Sequence, residues 1–216
     1  MFYSFLRAAI RVFLWIINGN FHSENTEALP EGNYVLVGPH RTWWDPFMFG
    51  LAASPRKFTF MAKEETFHNP IIRWILVHAN AFPVNRAKPG PSAIKTPVKI
   101  LRKGELSLIM FPTGSRYSSD IKGGATLIAR MARVPLVPAV YQGPLRFRDL
   151  LKRQKITVRF GAPIPIPSGR MDDARIEEVS QSMQTAFDKL DQEIDPNFHY
   201  VPDEEKYLEE KAKGKV

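Results

Sequence analysis

The feature that most constrains this chain is a short apolar run that ends in a turn carrying a histidine and an aspartate. Residues 34–37 have the length and composition of a buried strand, and Gly38 and Pro39 end it. His40 therefore follows the carboxyl end of a strand, where open α/β sheets place their ligand sites. Asp45 comes five residues later, so a helical turn between the two residues brings its carboxylate back to the imidazole.

This pair has two interpretations. A carboxylate on one nitrogen of the His40 ring fixes the tautomer and leaves the other nitrogen free to take a proton. Alternatively, His40 is a structural residue at a strand end and Asp45 caps the next helix, since Asp is favoured at that position. The spacing alone does not choose between a catalytic pair and a structural one.

The amino-acid composition limits the number of domains, the possible cysteine chemistry and the kinds of partner. A chain of 216 residues with 44% apolar and 24% charged residues is expected to form one domain with a sizeable core. It contains no cysteine, which excludes disulfides, thiolate metal sites and a cysteine nucleophile. The net charge of +8 favours polyanionic partners, namely nucleic acid, anionic membrane or phosphorylated small molecules, unless the basic surface serves only solubility.

The first 18 residues predict a helix with a narrow polar stripe, in which Ser4, Arg7, Arg11 and Asn18 share a sector of roughly 60°. The apolar stretch that follows the second arginine is shorter than the ~20 residues that a membrane crossing needs. We therefore expect a helix that lies in the membrane interface, with arginines at headgroup level and aromatic rings among acyl chains. The alternative is a helix docked on its own domain or on a second subunit.

Along the rest of the chain, strand-like apolar runs alternate with helical patterns. Asn69 is expected to cap a helix that starts at the following proline, and Thr96 to cap one that starts at Pro97 and ends at Gly104. Residues 134–140 carry two prolines, which favour an edge strand or an extended wall. The last helix opens at Asp172 or its neighbour, and its apolar stripe indicates core packing.

These patterns predict an α/β fold: a single domain with a largely parallel or mixed central sheet flanked by helices, plus an N-terminal amphipathic membrane-surface helix. We assign residues 1–24 to the membrane-associating segment, 25–200 to the α/β domain and 201–216 to a charged C-terminal tail.

Two further strand ends carry residues that suit an anion. Arg86 follows the strand at 79–84, and its planar fork of donors suits a phosphate, although a surface arginine is the alternative. Residues 112–119 follow the strand at 106–111 and are mostly small, which lets backbone N–H groups converge on an anion. Arg116 and Lys122 add positive charge there. A flexible polar loop is the alternative.

Four ordered blocks resemble the PlsC-type glycerolipid acyltransferases, the family that includes the lysophosphatidic acid acyltransferases. The first block, H-x-x-x-x-D, runs from His40 to Asp45, and the others are residues 82–86, 111–117 and 134–140. Lys122 and Gly124, which lie between the last two blocks, also match the family. One block is a weak signal, whereas four blocks in the right order are a strong one.

The resemblance implies transfer of a fatty acyl chain from a thioester to a glycerophosphate hydroxyl, with lysophosphatidic acid as the first expected acceptor. It implies that His40 is the general base and that Asp45 orients it. It also implies a phosphate site formed by Arg86, Arg116 and Lys122. No metal or resident cofactor is expected, and the co-substrate is acyl-CoA or acyl-ACP.

The third block completes the expected substrate site with Thr113, Gly114 and Ser115, of which the glycine gives backbone access. The family usually has Glu where this chain has Thr113, a departure that leaves glycerol 3-phosphate or another lysolipid open as acceptor. The residues are consistent with direct transfer, because the chain offers neither a cysteine nor a G-x-S-x-G elbow as nucleophile. Trp43 and Trp44 either wall an acyl channel or pack in the core.

The expected partners are a lipid substrate, the membrane surface and, as one candidate donor carrier, acyl carrier protein. The expected location is the cytoplasmic face of the cell membrane, peripheral or monotopic. Nucleic acid is not expected, because aromatic residues are not interleaved with basic ones and no nucleic-acid motif is present. A non-enzymatic basic binding module and a metal hydrolase remain as competing hypotheses, and the oligomeric state stays open.

Overall fold

One mixed β-sheet forms the centre of the molecule. The computed structural model describes residues 2–85, 88–118, 120–167, 169, 171–203, 205, 208 and 212. The strands described are β1 (Phe21–Glu24), β2 (Val35–Val37), β3 (Phe58–Lys63), β4 (Ala81–Val84), β5 (Ser107–Met110), β6 (Leu136–Gln142) and β7 (Ile156–Phe160). They pair in the order β1-β7-β6-β2-β5-β3-β4, and among these pairs only β6 with β7 is antiparallel.

Helices cover both faces of this sheet. They are α1 (Phe2–Ile17), α2 (Asp45–Ala52), α3 (Pro70–His78), α4 (Ser92–Lys103), α5 (Gly124–Ala132), α6 (Phe147–Leu150) and α7 (Asp173–Ile194). Helices α1 and α2 contribute to the core on one face, and α4, α5 and α7 to the core on the other. The predicted fold class, a single α/β domain with a mixed central sheet flanked by helices, is confirmed.

Strand β2 lies in the middle of the sheet and is buried on both faces. Because side chains alternate along a strand, Val35 and Val37 pack into the core beneath α4, α5 and α7, while Leu36 packs beneath α1 and α2. Val37 pairs in parallel with Met110 of β5 and with Pro138 of β6. The segments that follow β2 and β5 therefore leave the sheet at the same edge, where the sequence places its candidate residues.

The helix ends follow the expected local chemistry in most places. The Asn69 side chain accepts hydrogen bonds from the N–H groups of Ile71 (3.0 Å) and Ile72 (3.1 Å), as predicted for a cap in front of a proline. Asp172 caps α7 by accepting from the Arg175 N–H at 3.0 Å. Gly104 ends α4 in the left-handed region at φ 83°.

The predicted start of α4 is wrong. The helix begins at Ser92 rather than after Thr96, so Pro97 lies inside it. The first turn of the helix does not need a donor from Pro97, because the Lys95 N–H donates to the Pro91 carbonyl at 3.0 Å. Pro97 is buried against the core together with Val98. This burial offsets the hydrogen bond that a proline removes from a helix.

The predicted edge position of the proline-containing strand is also wrong. Strand β6 lies between β7 and β2, and all seven of its residues are buried. Pro138 falls opposite Gly161, just past the last residue of β7, and its carbonyl accepts from the Gly161 N–H at 2.8 Å. A Cβ at Gly161 would lie 2.9 Å from Pro138 Cγ, so the glycine makes room for the ring. The N–H group that Pro138 lacks is therefore missing at a position where β7 has already ended.

The N-terminal segment is more closely integrated with the domain than the boundary at residue 24 implies. Residues 21–24 form β1, which pairs in parallel with β7. Leu14 of α1 is buried in the core. At the other end of the chain, most of the predicted tail at 201–216 lies outside the described residues.

Candidate active site

The turn between β2 and α2 depends on a glycine. A Cβ at Gly38 would lie 2.5 Å from the Ala139 carbonyl oxygen and 2.6 Å from Phe49 Cε2. Any larger residue would collide with both, so glycine lets the chain leave β2 in close contact with β6 and α2. His40 then lies at the carboxyl edge of the sheet, as the sequence predicts.

Asp45 organises this turn. Its carboxylate is buried, and Oδ2 accepts from the N–H groups of Arg41 (2.6 Å) and Thr42 (2.8 Å). The Thr42 hydroxyl donates to Oδ1. Oδ2 also lies 3.1 Å from His40 Nδ1. The helix-cap alternative is wrong, because Trp44 occupies the N-cap position of α2 and Asp45 binds the residues that precede the helix.

This network fixes the histidine. A carboxylate held by several N–H and O–H donors acts as an acceptor, so His40 Nδ1 carries the proton that it shares with Asp45, and Nε2 is left with a lone pair. The ring stacks on Phe111 with centroids 4.2 Å apart, and Phe49 also stacks on Phe111, at 5.8 Å. Only 12% of the His40 side chain is exposed. The imidazole therefore has one orientation and one tautomer suited to accepting a proton.

A polar pocket of about 340 Å³ opens beside this histidine. The turn and the loop after β5 form one wall, through His40 and Thr113. Helix α7 and the segment after it form the other, through residues that include Asp191, Phe198 and Tyr200. Across the described residues, His, Asp and Glu side chains form no cluster of three or more that could hold a metal ion.

The loop after β5 folds tightly against the chain that leads into α5. Gly114 has φ 69°, a conformation that favours glycine, and its N–H donates to the Phe111 carbonyl at 3.0 Å. The Thr113 hydroxyl donates to the Ser115 carbonyl at 2.8 Å, and both side chains are buried. The Lys122 ammonium lies close by, since a Cβ at Gly114 would be 3.6 Å from it. Lys122 and Gly114, two of the predicted site residues, are thus neighbours.

The structure brings most of the predicted site residues to one place. His40 and Thr113 line the polar pocket, and the buried Asp45 contacts His40 from behind. Gly114, Ser115, Arg116 and Lys122 belong to the adjoining loop after β5, which we call the polar loop. Arg86 lies outside the described residues. The strand that leads to it, β4, ends at the same edge of the sheet, two strands beyond β5 in the sheet order.

Comparisons with known proteins identify the family of this chain. A family model described as Acyltransferase matches residues 20–142, which include the turn, the polar loop and β6. The 1-acyl-sn-glycerol-3-phosphate acyltransferase of Streptococcus pneumoniae is 48% identical over 196 residues, covering 89% of this chain and 74% of the relative. The protein of that name from Bacillus subtilis is 39% identical, covering 88% of this chain and 99% of the relative. The chain belongs to the acyltransferase family.

The fold of this acyltransferase matches a solved structure as well. The crystal structure of the 1-acyl-sn-glycerophosphate acyltransferase PlsC from Thermotoga maritima aligns with a TM-score of 0.66 over 88% of this chain and 78% of that one. Its sequence is 21% identical, so the likeness concerns the fold. The resemblance to the PlsC-type family that the four blocks indicate is confirmed.

A second cavity lies on the other side of the turn in this acyltransferase. It measures about 180 Å³ and is lined almost wholly by apolar groups from α1, α2, α3 and the strands between them, including Leu6, Phe47, Gly50 and Leu76. Trp43 lines this apolar cavity and is 58% exposed. The adjacent Trp44 is buried and donates to the Tyr141 hydroxyl at 3.3 Å. Trp44 thus packs in the core, whereas Trp43 lines a cavity.

Helix α1 is docked on its own domain through its arginines, as in the alternative to arginines at lipid headgroup level. Arg7 donates to the Arg56 carbonyl at 2.7 Å and Arg11 to the Leu51 carbonyl at 3.1 Å, so both guanidinium groups point at the domain. Leu51 lies in the last turn of α2, whose carbonyls have no partner within the helix. Arg11 donates to one such group, and Phe5, Val12, Phe13, Trp15 and Ile16 of α1 are exposed.

Helix α3 extends this outward surface. It has no buried residue, and its Trp74 ring contacts Phe2 of α1 with centroids 5.0 Å apart. We call the exposed apolar side chains of the two helices the apolar face: Phe5, Val12, Phe13, Trp15, Ile16, Ile71, Ile72, Trp74, Ile75 and Val77. In the described part of the chain, no helix is both long and apolar enough to cross a membrane.

Sequence reasoning missed Arg41 and its partners. The Arg41 side chain is 4% exposed and donates to the Tyr141 carbonyl at 2.7 Å and to Asp191 Oδ1 at 3.0 Å. Gln142 Nε2 also donates to Asp191 Oδ1, at 2.9 Å. The ion pair joins residues 150 positions apart, so no local pattern could reveal it. It ties the turn between β2 and α2 to the end of α7.

Proposed function

We propose that this acyltransferase moves a fatty acyl chain from a thioester to the free hydroxyl of lysophosphatidic acid, giving phosphatidic acid. The observation that carries this proposal is the buried Asp45–His40 pair at a turn that borders a polar pocket on one side and an apolar cavity on the other. The two relatives described above carry the name of this activity.

In this mechanism His40 acts as general base and then as general acid. Nε2 takes the proton from the acceptor hydroxyl as its oxygen attacks the thioester carbonyl carbon. The tetrahedral intermediate then collapses, the carbon–sulfur bond breaks, and the leaving thiolate receives that proton from the imidazolium. Asp45 holds the ring and stabilises its transient positive charge. No bond forms between the enzyme and the acyl group.

The polar loop is the proposed site for the acceptor's phosphate. Arg116 and Lys122 offer positive charge and N–H donors, Gly114 leaves the backbone of the loop accessible, and family resemblance adds Arg86. Thr113 and Ser115 shape this loop, since their contacts are internal to it. Holding the phosphate at a fixed distance from His40 selects which hydroxyl meets the thioester.

The apolar cavity is the proposed site for the acyl chain of the donor. Its lining by Leu6, Phe47 and Leu76 suits methylene groups, each of which gains about 0.8 kcal/mol on leaving water. Both candidate donors, acyl-CoA and acyl-ACP, present the same thioester, so this cavity does not distinguish between them. We propose that the enzyme uses one of these as co-substrate and needs no metal or resident cofactor.

The apolar face is the proposed site of membrane attachment. Its side chains are exposed to solvent in the monomer, and the cavity between α1, α2 and α3 opens within the same part of the molecule. A lipid acceptor would then reach the site from the surface on which the enzyme rests. We propose a peripheral or monotopic position on the cytoplasmic face of the cell membrane. The alternative occupant of this face is a second copy of the chain.

The decisive experiment measures acyl transfer by wild type and His40→Ala. Lysophosphatidic acid, glycerol 3-phosphate and other lysolipids are each offered with acyl-CoA and with acyl-ACP. We expect lysophosphatidic acid to be preferred and His40→Ala to lower turnover by ~10²–10⁴. The matched control is His22→Ala, which removes an exposed histidine from the edge strand β1.

Two results would contradict this proposal. Wild-type turnover by His40→Ala would exclude the general-base mechanism. A clear preference for glycerol 3-phosphate over lysophosphatidic acid would change the acceptor while keeping the reaction, and it would give the Thr113 departure a functional meaning.

A further inference from the structure

We propose that the segment after α7, residues 195–202, forms the outer wall of the acceptor's pocket and that Tyr200 positions it to exclude lysolipids with large headgroups. We call this segment the C-terminal strap. The inference rests on the proposed function, because it assigns specificity to the same pocket.

The strap has a defined path. The Asp195 N–H closes the last turn of α7 on the Asp191 carbonyl at 3.0 Å. The Asp195 carboxylate then accepts from the Asn197 N–H at 2.9 Å, and its carbonyl accepts from the Phe198 N–H at 3.0 Å. These bonds turn the chain back over the carboxyl edge of the sheet. Pro196, Phe198, His199, Tyr200 and Pro202 consequently line the polar pocket opposite His40 and Thr113.

Arg41 anchors the strap to the catalytic turn. Its guanidinium carbon lies 4.8 Å from the centroid of the Phe198 ring and 5.6 Å from that of Tyr200, within the range of cation–π attraction. The same guanidinium is held by Asp191 and the Tyr141 carbonyl, while the Arg41 backbone N–H donates to Asp45. One residue therefore connects the catalytic carboxylate with the wall of the pocket.

Tyr200 provides the second anchor, on the phosphate side. Its hydroxyl donates to the Arg116 carbonyl at 3.1 Å, which fixes the strap to the polar loop. Burial and the nearby Asp45 carboxylate raise the pKa of Tyr200, so the hydroxyl keeps its proton and remains a donor at physiological pH. The strap is thus tied to both groups that handle the acceptor: the turn that carries the base and the loop proposed to bind phosphate.

This placement has a chemical consequence. A lysolipid whose phosphate is a free monoester ends at the loop and fits between the two walls. A lysolipid whose phosphate carries a further alcohol, such as lysophosphatidylglycerol, must place that group where the strap lies. The strap is therefore expected to favour the monoester, and loosening it is expected to admit the diester.

The test compares kcat and KM for lysophosphatidic acid and lysophosphatidylglycerol in the full-length enzyme. Tyr200→Phe keeps the ring and removes the hydrogen bond, and we expect it to raise KM for lysophosphatidic acid about threefold to tenfold with kcat and the donor's KM unchanged. Tyr200→Ala and Phe198→Ala remove ring contacts, and we expect them to shift the ratio of kcat/KM for the two lysolipids toward lysophosphatidylglycerol by at least about tenfold. Val201→Ala is the matched control, because this strap residue is 85% exposed.

The outcomes separate this inference from the proposed function. If wild type acylates lysophosphatidic acid and the Tyr200 variants keep the wild-type KM and the wild-type selectivity ratio, the strap has no such role. An equal loss of kcat for both lysolipids, with a lowered thermal midpoint, would also overturn it, because that pattern reports damage to the fold. If wild type acylates neither lysolipid, the proposed function itself falls, and this inference falls with it.

Discussion

The two sides of the turn between β2 and α2 are held together by different kinds of interaction. On the polar side, Asp45, Arg41 and Asp191 are buried or nearly so, and each makes several hydrogen bonds at defined distances. On the apolar side, the cavity and the apolar face consist of side chains that share contact surfaces without directional bonds, and many of them are exposed. Proton transfer requires fixed positions, whereas a hydrocarbon chain requires only a dry surface of adequate volume.

This difference predicts how each side responds to substitution. A change on the polar side leaves buried donors or charges without partners, so it should reduce both chemistry and stability. A change on the apolar side alters which hydrocarbon or lipid is held, and it should leave the fold nearly intact. The predictions below test this contrast.

The largest effect is expected for Asp45. Asp45→Asn keeps the shape of the side chain but removes the charge that holds the His40 tautomer, so kcat should fall by ~10²–10⁴. Asp45→Ala also leaves the N–H groups of Arg41 and Thr42 without an acceptor, which adds a destabilisation of about 1–3 kcal/mol for each buried group. Initial rates and urea unfolding measure the two effects.

The control for this prediction is Asp173→Asn, which neutralises an exposed carboxylate at the start of α7. It should change kcat by less than about twofold, as is usual for an exposed surface position. If Asp45→Asn retains kcat near that of wild type, the turn does not need its carboxylate for chemistry, and the contrast between the two sides is broken.

A smaller effect is expected on the apolar face. Ile71 and Val77 of α3 are 70% and 52% exposed, so replacing both with Ser should change the free energy of unfolding by less than about 0.5 kcal/mol. Burying such a side chain among acyl chains is worth about 1.5–3 kcal/mol, so affinity for vesicles should fall at least tenfold. Sedimentation with vesicles that contain phosphatidylglycerol measures the affinity.

The matched substitution lies in α7. Val179→Ser places the same residue type at a position that is 3% exposed, and we expect it to lower the free energy of unfolding by about 2 kcal/mol or more. If the α3 variant binds vesicles as wild type does but changes the oligomeric state, a second copy covers the apolar face. In that case the membrane assignment is wrong.

Helices α3 and α7 also show what the sequence could reveal. Both carry apolar residues at helical spacing, and the stripe of α7 is buried as predicted, while α3 buries nothing. Periodicity identifies an apolar side of a helix but not what covers it. The contacts between His40 and Asp45 were predictable because the two residues are five positions apart and a glycine and a proline fix the turn.

The remaining features depend on contacts that join distant parts of the chain. Arg41 meets Asp191 across 150 positions, and Tyr200 meets Arg116 across 84. The interior position of β6 depends on Gly161, which follows a different strand and accommodates Pro138. Local propensity predicts an edge strand for a segment that contains proline. Gly161 belongs to another part of the chain, so the sequence of β6 alone does not show that Pro138 can be accommodated inside the sheet.

The smallest effect is expected for Gly50, and it tests whether the apolar cavity holds the acyl chain of the donor. Gly50 lies within α2 and lines this cavity, and a Cβ there would meet Tyr3 Oη at 3.5 Å and Phe60 Cζ at 3.9 Å, both ordinary contact distances. Gly50→Leu should therefore fold, and its side chain should occupy space that the cavity now offers to an acyl chain. Excluding about two methylene groups at ~0.8 kcal/mol each should shift kcat/KM toward shorter donors about tenfold.

A series of acyl thioesters of increasing length measures this shift. Gly50→Ala should show a weaker shift together with a gain in stability of about 0.5–1 kcal/mol, because alanine replaces glycine inside a helix. Gly32→Ala is the control outside the cavity, since a Cβ there would meet no atom within 4 Å. An unchanged length profile in Gly50→Leu would mean that the acyl chain lies elsewhere, and the two sides of the turn would then no longer correspond to the two parts of the reaction.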